Sequence, residues 1–407
     1  MKILYVVHQF FPTFGSGTEM ITYNIASMMQ RSGHKVTVVA YAPDMENKWE
    51  QYSSEGKIDY RHIMYKTLSV IQYRHQVQPM DITYGFHNEQ VLRFADSILR
   101  QVQPDIVHVT HLMRGSSFLE AAAKQNIPSI VTLTDLMAVC PRITMQNKQG
   151  GICASVRNGA DCPQVCQDAV NYRARLREAK TLLKKAKKVT VPSAFLKKMI
   201  GDELELPIQI IPHGIFYREG AHSAVQSKKS NLTIGFAGTI IEHKGVSNLI
   251  EAFMKVPGRK LQLQIYGSGN LDYVESLKKQ AALDGRIHFM GQFKPEDAAR
   301  IYTSLDLLVI PSTCYESYSM VKHEAIANGT PVAVSNIGAL PEKIIHGENG
   351  FIFDPFQPET LSKIFQMLKA SPEKLQHIQN GMRKLSVDAI EQEAFHYLRI
   401  YWDMVKK

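Results

Sequence analysis

The 407 residues, 44% hydrophobic and 21% charged, suffice for two domains with separate cores. No apolar run reaches the roughly 18–20 residues of a spanning helix, which excludes an integral helical membrane protein. The formal net charge of +9 suits nucleic acid, an anionic membrane surface or phosphorylated substrates and does not choose among them.

The opening Met1-Lys2-Ile3-Leu4-Tyr5-Val6-Val7-His8 is too short for a signal-peptide core and lacks a small-residue cleavage site. It reads as a buried strand, and the expectation is a cytoplasmic protein. Continuous apolar runs recur at Ile3–Val7, Val36–Ala40, Ile106–Val109, Ser129–Leu133 and Lys188–Val191. They recur again at Leu232–Phe236, Leu261–Tyr266, Arg286–Met290, Leu305–Ile310 and Pro331–Val334. Such runs mark strands buried on both faces of a parallel sheet. Helix-length stretches lie between them: Glu19–Arg31, Asn88–Gln101, Asn248–Lys255 and Ala298–Ser304. The order predicts a doubly wound parallel α/β sheet, built twice. The first domain is placed at 1–205, a polar linker at 206–230 and the second domain at 231–387. A helix-patterned stretch, 388–407, closes the chain and is able to cross back to the first domain.

Glycine-rich turns follow the first strand of each half. Gly15-Ser16-Gly17-Thr18-Glu19 leads into a helix, where backbone N–H groups can meet an anion or simply make a turn. Its spacing is not the dinucleotide fingerprint. In the second half Gly238-Thr239 is followed by Lys244, a point charge for a phosphate or a solvated lysine. Both turns lie where open α/β sheets bind ligands.

Cys140, Cys153, Cys162 and Cys166 crowd one segment, 140–166, and Cys314 stands apart. None makes a Cys-x2-Cys knuckle, so reduced thiols, a structural metal and a disulfide all stay open. The stretch 171–201 is basic, with Lys184-Lys185-Ala186-Lys187-Lys188 at its centre. On a helix it would attract anionic headgroups at ~1 kcal/mol per residue, or be a solvated face. The charge comes without an aromatic-interleaved basic sheet or recognition motif, which argues against nucleic acid.

Glu316 and Glu324 bracket Cys314-Tyr-Glu-Ser-Tyr-Ser-Met-Val-Lys-His-Glu-Ala325. A glycosidase pair needs carboxyls about 5 Å or about 6.5–9.5 Å apart. Eight helical residues would rise about 12 Å, which separates the two roles. A helix starting near Ser319 leaves Glu316 in the entering loop and Glu324 on the helix. No Asp-rich metal triad is nearby.

The Gly15–Glu19 turn, Gly33-His34-Lys35-Val36, Pro104–His111, Val191-Pro192-Ser193, Ile211-Pro212-His213-Gly214 and Gly238 with Lys244-Gly245 occur in a set order. Ile265–Gly269, Glu-x7-Glu followed by Ala-x-x-x-Gly-x-Pro-Val, and Gly347-Glu348-Asn349-Gly350 continue it. Together they cover almost the full chain and resemble the retaining glycosyltransferases of family 4. The resemblance implies the GT-B fold, two Rossmann-like domains facing each other across a cleft. It implies a nucleotide-diphosphate sugar as donor, no cofactor and no metal, and a glycan or lipid-linked acceptor. The setting implied is bacterial cell-surface polysaccharide or glycolipid synthesis, at the inner face of the cytoplasmic membrane if 171–201 meets anionic lipid. Position by position, Glu324 matches the ribose-binding glutamate and Glu316 the one facing the donor sugar. Ser317, Tyr318, Ser319 and Met320 match the segment whose N–H groups meet sugar and pyrophosphate. Lys244 matches the lysine that neutralises the diphosphate, and Gly238, Thr239 and Gly267 lie on the donor side. Thr239 stands where arginine is frequent, which shifts phosphate binding onto Lys244 and backbone amides. Gly15 and Gly17 match glycines near the phosphates and acceptor, and His111 the histidine beside the donor sugar. Thr134 departs from the histidine usual before Asp135. A nucleotide-sugar epimerase on the same fold and a non-catalytic binding subunit are the rival readings.

Overall fold

Lys2–Val7 forms the first strand, β1, and every other apolar run named above also folds as a strand, with ends shifted by a residue or two. The computed structural model describes residues 1–42, 50–51, 58–75, 85–166, 170–216 and 231–406. The chain divides into two units, Met1–Gly214 with Ile390–Lys407, and Ile215–Ala389.

In the first unit β1 is followed by β2 (Lys35–Tyr41), β3 (Glu50–Gln51), β4 (Ile58–Tyr65), β5 (Leu68–His75) and β6 (Ile106–Val109). Then come β7 (Ser129–Thr132), β8 (Lys188–Val191) and β9 (Ile208–Ile210). They form one sheet in the order β3-β4-β5-β2-β1-β6-β7-β8-β9. A wholly parallel sheet was expected, and one edge corrects this: β4 runs antiparallel to β3 and β5. The cause is local. Only Lys66 and Thr67 separate β4 from β5, with Lys66 at φ 51, and so short a connection cannot reverse into a parallel pair.

The first unit also reaches past residue 205, because β9 pairs with β8 and buries Ile208. Of the expected linker 206–230, residues 217–230 lie outside the described residues. The helix Ile390–Val405 packs in this first unit through Ile390, Ala394, Tyr397 and Tyr401, one stripe of the helix. Beneath the stripe runs a buried polar network. Tyr401 Oη meets Tyr5 Oη at 3.0 Å and His108 Nδ1 at 2.6 Å, and His108 Nε2 meets Thr132 Oγ1 at 2.7 Å. Glu393 accepts from the Gly214 N–H at 2.8 Å and lies 2.8 Å from His213 Nδ1. Paired polar groups of this kind specify one docking position more sharply than an apolar stripe alone.

The basic stretch 171–201 is not one helix. Tyr172–Leu183 and Ala194–Leu204 are helical, with β8 between them, so the lysines at 184–188 fall on a turn and a strand start. Arg175 is buried and donates to the Met137 carbonyl at 2.5 Å, and Lys180 pairs with Glu205 at 2.5 Å. The lysines at 184–188 therefore share no helix face, and the basic groups exposed on a helix of this segment include Arg173 and Arg177 of Tyr172–Leu183. Among the described residues no helix is long and apolar enough to cross a membrane.

The second unit holds β10 (Leu232–Ala237), β11 (Leu261–Tyr266), β12 (Ile287–Gly291), β13 (Leu307–Ile310), β14 (Val332–Ser335) and β15 (Phe351–Phe353). The order β12-β11-β10-β13-β14-β15 is parallel throughout. The strand order reverses between β10 and β13. In such sheets the carboxyl ends flanking the reversal open a crevice, and loops from both sides line it.

Candidate active site

At the reversal in the second unit, the turn Glu242–Lys244 follows β10 and the loop from Pro311 follows β13. Gly245 joins them. It sits at φ +70, and a Cβ there would lie 1.9 Å from the Pro311 carbonyl oxygen. Only glycine lets the two backbones meet. The Thr313 N–H then donates to the His243 carbonyl at 2.8 Å. This seam brings Lys244 Nζ to 2.5 Å from Glu316 Oε1, and Ser312 Oγ donates to the same oxygen at 2.6 Å.

Burial pushes the Glu316 carboxyl up, but the Lys244 ammonium and the Ser312 hydroxyl outweigh it and hold it below its ordinary value. Burial likewise works against the Lys244 ammonium, and the Glu316 carboxylate outweighs it and holds Lys244 above its ordinary value. The pair is therefore ionised at neutral pH, with Lys244 30% and Glu316 14% exposed, so an anion reaching Lys244 meets a charged group.

The helix Met320–Ala327 begins after Ser319, which sits at φ 63 and accepts the Lys322 N–H on its hydroxyl at 3.3 Å. Glu316 thus lies in the entering loop and Glu324 on the helix. Tyr302 Oη donates to Glu324 Oε2 at 2.6 Å, and burial raises the Glu324 carboxyl. Ser317 and Met320 are half-buried. The Tyr318 ring turns inward and stacks on His323 at 3.9 Å. Gly238 donates its N–H to the Tyr266 carbonyl at 3.1 Å, next to Gly267, and Thr239 is exposed. The sequence reading missed Ser312, Tyr302 and Lys322. Nothing in the spacing marks them, since each acts through a fold contact.

The β1–β6 reversal of the first unit gathers a second group of candidate residues. Gly15, Ser16 and Gly17 are exposed in the turn before the helix Gly17–Arg31. Ser16 caps that helix with Glu19, whose carboxylate accepts the Ser16 N–H at 2.9 Å. Glu19 is fully buried, and its Oε1 lies 3.3 Å from His8 Nε2. Burial first, then the neighbouring His111 and Arg114, lower the His8 imidazole well below its ordinary range. The His8 and His111 rings face each other at 4.1 Å. His111 accepts the Met113 N–H on Nδ1 at 3.0 Å, so its proton sits on Nε2, which meets Asp135 Oδ2 at 2.6 Å. Both ring nitrogens of His111 are thus engaged inside the unit. His8 and Asp135 went unremarked in the sequence as site residues, although His8 follows β1, the place where such sheets collect ligand groups.

Cys140, Cys153, Cys162 and Cys166 are thiols, and burial pushes Cys140 up to about 11 and Cys162 to about 12. Among the described residues no group of three His, Cys, Asp or Glu is arranged to hold a metal ion.

Residues 218–385 match the family model for glycosyl transferases group 1, and residues 15–216 match the model for glycosyltransferase family 4. The chain belongs to glycosyltransferase family 4. This family 4 chain is 33% identical over 177 residues to an uncharacterized glycosyltransferase of Methanocaldococcus jannaschii. That match spans 42% of this chain and 45% of the relative, so less than half the length of the relative is covered. The family 4 fold also superposes on sucrose-phosphate synthase of Thermosynechococcus elongatus, at TM-score 0.74, 18% identity and all of both chains. The HepE protein of Anabaena in complex with UDP follows at 0.72 and 18% identity, over 99% of this chain and 100% of that one. These neighbours share the GT-B architecture of two Rossmann-like domains.

Proposed function

We propose that this family 4 glycosyltransferase moves a sugar from a nucleotide-diphosphate donor to a glycan or lipid-linked acceptor, with retention at the anomeric carbon and without a metal ion or cofactor. The observation that carries the reading is the ionised Lys244–Glu316 pair at the β10–β13 reversal. The pathway we infer is cell-surface polysaccharide or glycolipid synthesis, with the donor nucleotide a uridine diphosphate as in the HepE complex.

In this reading Lys244 faces the diphosphate, Glu316 the sugar and Glu324 the ribose. N–H groups at the start of the helix Met320–Ala327 add donors for the diphosphate. The bond from the anomeric carbon to the diphosphate oxygen breaks, and its electron pair leaves with the diphosphate. The acceptor oxygen bonds to the same face of that carbon, and its proton passes to a diphosphate oxygen. The protein positions both partners and stabilises the charge that develops on the leaving group. No carboxylate has to carry the proton.

Two measurements test the proposal. Proton NMR of the fresh product reads the anomeric configuration, and inversion overturns retention. A thermal-shift panel of nucleotide diphosphates reads the donor, since a bound ligand stabilises by mass action. No shift with any uridine nucleotide would reject UDP.

A further inference from the structure

Lys322 has no role in the chemistry above, yet it lies between the two glutamates on the helix Met320–Ala327. Its side chain turns away from solvent and the residue is 1% exposed. Nζ donates to the carbonyls of Ala339 at 2.9 Å, Leu340 at 3.2 Å and Glu342 at 3.4 Å. An ammonium has three N–H groups, and here each finds a carbonyl.

The turn that supplies those carbonyls also braces the loop of Glu316. The Ala339 N–H donates to the Glu316 carbonyl at 2.8 Å. Gly338 sits at φ +61, and a Cβ on it would lie 2.6 Å from the Glu316 carbonyl oxygen and 2.8 Å from the Glu316 nitrogen. Glu316 is thus held on one side by the Lys244 turn and on the other by the 338–342 turn. Lys322 fastens the second of these.

We propose that Lys322 is a positioning residue for the donor site: its ammonium clamps the Ala339–Glu342 turn, and through Gly338 and Ala339 that turn sets where Glu316 stands. The inference rests on the assignment of Glu316 to the donor. Burial lowers Lys322 to about 8, with Lys343 adding to the effect and the Glu342 and Glu316 carboxylates opposing it. The charged form still dominates at neutral pH. A buried ammonium is a costly way to fill this space, because its charge must be taken out of water. What it supplies is direction, three donors aimed at one turn.

Hydrogen exchange read by mass spectrometry on the full chain tests this, with Lys322→Met and Lys322→Gln beside wild type. The expected result is exchange about tenfold faster in segments 312–318 and 338–342 of the Met variant, with the helix 246–254 unchanged. Gln, which keeps an N–H donor, falls between the two, and carries the comparison if the Met variant does not fold. Unchanged exchange in both segments, or a uniform rise across the second unit, overturns the clamp. Because exchange is read without any donor, normal turnover in Glu316→Ala would defeat the donor assignment and leave this measurement standing.

Discussion

Lys244 and Glu316 meet at 2.5 Å although 72 positions separate them in the chain. One comes from the turn after β10 and the other from the loop after β13. The contact exists because Gly245 lets those two segments touch at Pro311. The charge state of each depends on the other, and this makes the pair testable from both ends.

Lys244→Ala and Glu316→Ala should each lower kcat/KM about a hundredfold or more, with far-ultraviolet circular dichroism unchanged. Turnover near the wild-type rate in either variant removes the pair from the site. Acid sensitivity follows from the sign of the Glu316 shift. Its folded value lies below the ordinary 4.5, so the stabilisation is present above that value and lost as pH falls through the folded one. Lys244→Ala should therefore move the acid limb of activity to higher pH.

Glu324→Gln should weaken UDP binding about tenfold while affecting 2′-deoxy-UDP less, measured by titration calorimetry. The reason is that Glu324 is assigned to the ribose hydroxyls and Tyr302 holds its other face at 2.6 Å. Equal losses for both nucleotides would place Glu324 elsewhere.

Gly245→Ala puts a Cβ against the Pro311 oxygen at φ +70. A cost of about 2 kcal/mol or more is expected in urea unfolding, together with loss of transfer, because the seam that sets the Lys244–Glu316 distance must open. A variant of unchanged stability would show that the seam tolerates separation.

The helix Ile390–Val405 should be sensitive to Glu393→Ala. That change takes the acceptor from the buried Gly214 N–H and costs about 1–3 kcal/mol, read as a lower midpoint in urea. Surface changes such as Glu391→Ala on the same helix should shift the midpoint far less.

The Lys322 ammonium makes a prediction of the same sign at the alkaline end. Its folded value of about 8 lies below the ordinary 10.5, so between these values the unfolded chain holds a proton that the folded chain has released. Stability of wild type relative to Lys322→Met should rise with pH across that window. A difference that stays flat in urea unfolding between pH 8 and 10.5 contradicts it.

Much was legible in advance where a signal is local. Continuous apolar runs marked the buried strands, and Glu-x7-Glu with Ala-x-x-x-Gly-x-Pro-Val marked the helix Met320–Ala327 and the loop before it. The β4–β5 hairpin escaped notice because its strands carry Arg61, His62 and Gln72, and the buried Gln72 accepts from Arg61 at 2.7 Å. The strands β9 and β15 are three residues each, too short for a pattern to stand out. The lysines at 184–188 suggested a helical face, but their neighbours Val189 and Val191 are drawn into the sheet core.

The sequence by itself determined that the chain builds the α/β pattern twice and that carboxylates, a lysine and glycines stand at strand ends where ligands bind. Those features depend on neighbours along the chain, through period, turn chemistry and burial. Only the tertiary structure decided which of them act together. The Lys244–Glu316 pair, the Tyr302 hydroxyl on Glu324, the Lys322 clamp and both occupied nitrogens of His111 join residues from different loops. Such contacts depend on how closely two backbones approach, and that distance is set by packing rather than by any local run of residues.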